Sequence, residues 1–176
     1  MRYVALLRGI NVGGNTMIKM TELKAAFEGC GFENVVTYIN SGNLAFDVAD
    51  DAEEGHLVSL IGQLIETNFG KQIPVMIREQ AWIDQILANN PFEGEFESHK
   101  EMHVLFLREE MPAEKIDQLM AAAMPPERFA VTGREIYCHL PLGVADSLLG
   151  KGFIEKKLKV AVTGRNWRTV QKLAVL

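Results

Sequence analysis

Residues 34–48, which read NVVTYINSGNLAFDV, predict a β-hairpin and decide the fold of the first half of the chain. Two runs rich in Val, Thr, Tyr and Phe are typical of strands. They flank Asn40-Ser41-Gly42-Asn43, and Asn and Gly tolerate the positive φ angles that a tight turn requires. The two strands are therefore expected to pair antiparallel, joined by this turn.

The segments on either side of the hairpin complete one structural unit. Residues 2–7 predict a buried strand, and Met20, Leu23 and Phe27 recur at helical spacing. Apolar residues between 57 and 65 indicate a second helix, and IPVMIR indicates a fourth strand. The order strand, helix, strand, strand, helix, strand is that of a ferredoxin-like, or split βαβ, unit.

The same pattern restarts after a polar connector at 89–101. Residues 102–107 predict a strand, Ile116, Leu119 and Met120 a helix, and 128–140 two further strands. A fourth strand is less obvious, although KVAVT is a candidate.

We therefore predict an α/β (α+β) fold of two duplicated ferredoxin-like units. Their sheets are expected to be mostly antiparallel, with helices on one face. The predicted halves are 1–90 and 91–176, the second including terminal helices.

Composition is that of an ordinary globular protein. The 176 residues are 48% hydrophobic and 23% charged, enough apolar content for a core. The apolar runs are too short for a membrane span, and the start does not resemble a signal peptide, so we expect a cytoplasmic protein. Cys30 and Cys138 lie far apart and are predicted to be buried free thiols.

Charge is unevenly distributed along the chain. Residues 151–176 carry +6, whereas the remaining residues carry −11, giving a net charge of −5. The basic segment is either an electrostatic site for an anion or a solvated helix face.

The predicted topology brings two polar loops together. The first two strands of a split βαβ unit run parallel, so Arg8–Asn15 should lie beside Asn40–Asn43 at one edge of the sheet. RGINVGGN does not match a phosphate-binding P-loop, and its glycines could simply form a tight turn. We predict a ligand site here, formed by Arg8, Asn11, Asn15, Asn40, Ser41 and Asn43.

A second polar concentration lies in TGRNWRTVQKL, residues 163–173. Thr163 is predicted to cap a helix that begins near Arg165. In the functional interpretation, Arg165, Asn166, Trp167 and Lys172 bind a phosphate, stack on a base and close over the first loop. In the alternative, Trp167 and Val170 only dock the helix.

These motifs resemble the bacterial family of domain of unknown function 1697. The similar segments include LLRGINVGG at 6–14, the stretch 19–46, NPF at 90–92, and FIEKKLKVAVTGRNWRTVQKL at 153–173. The resemblance implies the duplicated architecture and a cytoplasmic protein, and it implies no activity. The chain departs from the family pattern at residues 15–17 and 143–148, where positive charge is lost.

Three functions remain open on the sequence. The first is a binding module for a phosphorylated small molecule or a nucleic-acid end, and the second is an enzyme acting on a small anionic metabolite at the same place. The third is a protein-interaction module. We expect no cofactor and no metal, because His103 and His139, predicted on adjacent strands, are too few ligands for zinc. Oligomeric state is not predicted.

Overall fold

Two four-stranded sheets form the framework of the chain. A computed structural model describes residues 1–14, 16–49 and 52–176. Within these ranges no helix is both long enough and apolar enough to cross a membrane.

The chain divides into two compact units. The first contains residues 1–85 and 172–176, and the second contains residues 86–171. The division falls inside two helices, and the boundary at residue 85 lies a few residues before the one expected from the sequence.

The first unit has the predicted order of elements. They are β1 (Arg2–Leu7), α1 (Met20–Gly29), β2 (Glu33–Tyr38), β3 (Asn43–Asp47), α2 (Glu54–Phe69), β4 (Val75–Glu79) and the start of α3 (Gln80–Ala88). The strand order is β2-β3-β1-β4, and each neighbouring pair is antiparallel. The prediction of a ferredoxin-like unit is confirmed.

The second unit repeats this order. A short 3₁₀ turn (His99–Glu101) precedes β5 (Met102–Leu107), α4 (Ala113–Ala122), β6 (Arg128–Thr132), β7 (Glu135–His139), α5 (Phe153–Lys156), β8 (Val162–Asn166) and α6 (Trp167–Leu173). The sheet order β6-β7-β5-β8 corresponds strand for strand to that of the first unit. The duplication that was predicted from the order of elements is therefore also present in the topology of the two sheets.

In each unit two helices pack on one face of the sheet, α1 and α2 in the first and α4 and α5 in the second. In the first unit α1 contributes Phe27, whose ring meets Phe46 of β3 edge-on at 5.4 Å between centroids. Phe32 lies 4.6 Å from the same Phe46 ring. In the second unit Leu119 of α4 and Ile136 of β7 belong to the corresponding core. Because strand side chains alternate between faces, only every second residue of each strand enters these cores.

The C-terminal segment differs from its prediction. Thr163 and Arg165 lie within β8, and the helix begins only at Trp167. Asn166 caps α6, because its Oδ1 accepts a hydrogen bond from the Thr169 N–H at 3.0 Å. The predicted helix start and Thr163 cap were wrong because pairing with β5, in which Arg165 stands opposite Val104, extends the strand.

The two cysteines have different environments. Cys138 is fully buried, as predicted, and burial raises the pKa of its thiol well above the ordinary value. Cys30 is exposed just after α1, so the prediction that it is buried was wrong. The chain turns there at the helix end, which leaves the side chain outside the core.

Candidate functional site

The two predicted loops of the first unit lie side by side. The Leu7 N–H donates to the Gly42 carbonyl at 2.8 Å, joining the end of β1 to the hairpin turn. The Asn11 Nδ2 donates to the Asn40 carbonyl at 2.7 Å. The topology inferred from the hairpin thus brings together segments that are distant in sequence.

Asn11 closes the glycine-containing loop. Its backbone has φ of 56°, a left-handed conformation that Asn tolerates better than most residues. Its Nδ2 also donates to the Ile18 carbonyl at 2.9 Å, and its Oδ1 accepts from the Ile18 N–H at 2.8 Å. The Asn11 amide is therefore engaged inside the protein and acts as a positioning group.

The hairpin turn is held by Asn43 and Ser41. Asn43 is fully buried, and its Nδ2 donates to the Tyr38 carbonyl at 3.0 Å and to the Ser41 Oγ at 2.9 Å. Gly42 has φ of 91°, and a Cβ there would approach the Leu7 Cβ to 2.8 Å. The turn is thus shaped by packing against the end of β1, while the Asn40 side chain stays exposed.

A cavity of about 360 Å³ opens beside these loops. Its lining residues are Asn11, Met17, Ile18, Lys19, Glu22 and Asn40. Lys19 immediately precedes α1, and no side chain of the described residues caps that helix. Lys19 and Glu22 were not among the residues predicted for this site, because each is an ordinary exposed residue at a helix start.

Arg8 and Asn15 are the other residues predicted for this loop. Arg8 is half-buried, and its backbone N–H donates to the Pro74 carbonyl at 3.0 Å. Asn15 lies outside the described residues.

Two of the predicted residues in the second unit, Arg165 and Trp167, are buried. Arg165 is 7% exposed, and its Nη1 donates to the Thr163 Oγ1 at 2.8 Å and to the Gly164 carbonyl at 2.9 Å. Burial lowers the pKa of Arg165 to about 10, so the side chain remains cationic at neutral pH. Trp167 is buried, with its ring edge-on to Phe96 at 6.0 Å.

Lys172 belongs to the first unit with the end of the chain. Its Nζ lies 5.8 Å from the centre of the Tyr38 ring, a cation–π distance. The predicted site residues are thus divided between the two units.

A second buried arginine was missed by sequence reasoning. Arg78 of β4 stands opposite Val4 in the register, as Arg165 of β8 stands opposite Val104. Arg78 is 1% exposed, and its Nη1 donates to the Ile77 carbonyl at 2.8 Å. The available signal was a lone Arg near the end of the fourth strand in both halves.

The two histidines do not form one site. In the register between β5 and β7, His103 stands opposite Cys138 and His139 stands opposite Met102. Because directly opposed residues share a face, this one-residue offset places the two rings on opposite faces of the sheet. Among the described residues no cluster of three or more candidate ligands could hold a metal ion.

The imidazole rings of His103 and His139 lie in different environments. Burial, with a smaller contribution from His99, lowers the pKa of His103 to about 4. The His139 Nδ1 lies 3.0 Å from Arg128 Nη2, and burial together with the Arg128 charge lowers its pKa. Both rings are therefore neutral at physiological pH.

Comparison with known proteins identifies the family. The chain belongs to the family described as Protein of unknown function (DUF1697), whose model matches residues 1–137. The chain is also similar in structure to the conserved bacterial protein SP0830 from Streptococcus pneumoniae, with a TM-score of 0.79 and 22% sequence identity. That similarity covers 98% of this chain and 96% of the other, and it shows a shared fold. A search of curated proteins finds no match.

Proposed function

We propose that the first unit is a binding module for a small ligand with an anionic group, such as a phosphorylated metabolite or nucleotide. The single observation that carries the proposal is the 360 Å³ cavity beside the joined loops, flanked by Lys19 and Asn40. Its volume falls within the range of small-molecule sites, roughly 300–1,000 Å³.

The lining residues suggest how such a ligand would bind. The Lys19 ammonium would pair with the anionic group, and the Asn40 amide would donate a hydrogen bond. The Glu22 carboxylate favours a ligand that also offers a hydroxyl or amine donor. Asn11, Ser41 and Asn43 serve as positioning residues in this proposal, because their side chains hold the loop and the turn.

The test is calorimetric titration of the full chain with sugar phosphates and nucleoside monophosphates. Lys19→Met should weaken binding about tenfold, as expected for the loss of one charge-assisted contact. Lys24→Met is the matched control, because Lys24 is an exposed lysine of the adjoining helix α1 and does not line the cavity. Equal affinity in both variants would remove the cavity from consideration.

An interaction module is the second candidate, and one observation favours it. Val12, Met17 and Ile39, in the same loops, are 61%, 64% and 52% exposed. In that case alanine variants of Arg8 and Arg165 would cost stability without abolishing the binding of any small ligand.

Three finer points remain proposals. If the protein is an enzyme that uses the same cavity, it should convert an anionic metabolite to product, and this turnover should not require nucleic acid. A nucleic-acid end in place of a small ligand would bind with an affinity that falls steeply with salt. We also propose that the protein is cytoplasmic, and cell fractionation would check this.

A further inference from the structure

The second unit contains a different concavity, with more positive charge. A cleft of about 440 Å³ lies beside the connector that follows β5. Its cations are Arg108 of that connector, Lys115 in the first turn of α4, and Lys159 of the connector before β8. These cations come from three separate segments, so the fold and not a local charge run brings them to one cleft.

Backbone conformation at Lys159 supports a specific role for this segment. Lys159 has φ of 56°, a left-handed conformation that is unfavourable for a long side chain. Such residues persist where the surrounding structure imposes them, and they are frequent at ligand sites. The side chain is exposed at the cleft.

Negative charge at the cleft does not cancel the positive charge. Glu109 and Glu110 also line it, so its three cations outnumber its two carboxylates. The segment that leads to Lys159 carries Lys156 and Lys157 against Glu155, which adds one net positive charge close to Lys159 in sequence. An anion would therefore be attracted to this part of the second unit.

The cleft lies at the edge of the second sheet that is equivalent, by the order of strands, to the edge of the first sheet where the loop of the first unit lies. The Leu107 N–H donates to the Arg134 carbonyl at 2.8 Å, as the Leu7 N–H does to the Gly42 carbonyl. Arg108 follows β5 as Arg8 follows β1, so the duplication places an arginine at both edges. The cavity at the first edge is lined by one lysine, Lys19, whereas the cleft at the second edge is lined by two, Lys115 and Lys159.

We propose that this cleft binds the phosphate group of a small phosphorylated ligand or free phosphate, contacting Lys115, Lys159 and Arg108. A phosphate group is favoured over a carboxylate because its additional oxygens and larger charge can engage three cations together. The cleft is larger than one phosphate, which leaves room for the rest of a small ligand. The inference is independent of the cavity proposed for the first unit.

The first experiment uses inorganic phosphate and amide NMR of the full chain at constant ionic strength. Saturable shifts should appear at residues 108–115 and 157–161. Lys115→Gln combined with Lys159→Asn should weaken binding about tenfold or more. Asn is chosen at 159 because it tolerates the left-handed backbone.

Two controls separate the cleft from general charge and from the first unit. Lys100→Gln changes an exposed lysine of the second unit that does not line the cleft, and it should leave phosphate affinity unchanged. The position of the shifts is the second control, because phosphate bound in the first cavity would shift amides near Lys19 and not those at residues 108–115 and 157–161. An equal loss in Lys100→Gln would overturn the proposal. If the double variant fails to fold, the single variant Lys115→Gln gives the same comparison.

Titrations with glucose 6-phosphate and a single-stranded oligonucleotide then distinguish the sources. Tighter binding of glucose 6-phosphate than of inorganic phosphate, with shifts at the same amides, identifies a phosphorylated small molecule as the ligand. Binding of phosphate alone retains the site as one for the free anion. Shifts with the oligonucleotide alone would overturn the proposal in favour of a nucleic-acid surface, as would the absence of cleft shifts with every probe.

Discussion

Asn11 and Gly42 show how single residues make the sheet edge of the first unit. Asn11 combines a left-handed backbone with side-chain bonds to Ile18 and Asn40. Gly42 leaves space that Leu7 and Ile10 fill. These residues decide the shape of the candidate cavity without offering free groups to a ligand. Substitution of these residues by alanine would therefore change ligand binding indirectly, by altering the geometry of the loop.

Gly42→Ala is expected to be far more destabilising than Gly13→Ala. Both glycines have positive φ, 91° and 60°, but only at Gly42 would a Cβ meet packed atoms. Left-handed backbone alone costs about 1–2 kcal/mol, and overpacking adds about 1–3 kcal/mol. Urea unfolding of both variants measures the difference, and equal losses would show that the turn relaxes without cost.

His103 is expected to make stability fall in mild acid. Its pKa in the folded protein is about 4, below the ordinary 6.5, so between these values only the unfolded chain binds the proton. The contribution of the neutral His103 to the free energy of unfolding is complete above pH 6.5 and is lost as the pH falls towards 4. The loss is on the order of 3 kcal/mol at most. Unfolding free energies from pH 7 to 4 for wild type and His103→Gln check this.

The exposed His56 provides the control for that comparison. His56→Gln should preserve the wild-type pH dependence, whereas His103→Gln should flatten it. Identical slopes for all three proteins would contradict the proposed origin in His103.

Individual elements differ in how far sequence determines them. Helices α1 and α2, and strands β1 and β3, have clear apolar periodicity, and all were predicted. Strand β8, VTGRN, has little apolar signal, and its conformation depends on pairing with β5. The loop contact of the candidate site followed from topology, whereas the cavity lining did not. Which exposed side chains border a cavity depends on the loop path, which local patterns do not encode.

The cap of α6 gives a test at this scale. Asn166→Ala should cost about 1 kcal/mol, the usual value of a lost N-cap. Asn166→Asp should retain or exceed wild-type stability, because a carboxylate can accept the same Thr169 bond and interacts favourably with the helix N-terminus. Denaturant unfolding at neutral pH ranks the variants, and equal losses for Ala and Asp would mean that the cap contributes nothing measurable.

The whole molecule repeats one plan while varying its chemistry. Both units use the strand order of a split βαβ fold, and both bury an arginine in the fourth strand, Arg78 and Arg165. At the start of the third strand, however, the buried Asn43 of one unit corresponds to the buried Glu135 of the other. The two sheet edges likewise differ, so duplication has kept the framework and changed the polar residues at equivalent places.

The end of the chain is expected to stabilise the first unit. The Leu176 carbonyl oxygen accepts from Arg2 Nε at 3.0 Å and from Gln80 Nε2 at 2.9 Å. Gln80 Nε2 also donates to the Leu173 carbonyl at 3.0 Å. Deleting residues 174–176 removes the shared acceptor, and the loss of these bonds should cost about 1–3 kcal/mol. Faster amide hydrogen exchange in β1 and at the start of α3 would report the loss.

A double-mutant cycle shows whether these bonds are responsible. Gln80→Ala should destabilise the full chain, but it should have a smaller effect after residues 174–176 are deleted, because one of its partners is then absent. The expected coupling is about 0.5–1.5 kcal/mol, the net value of one hydrogen bond. Additive losses would contradict the prediction. They would mean that residues 174–176 stabilise the first unit by contacts that do not involve Gln80.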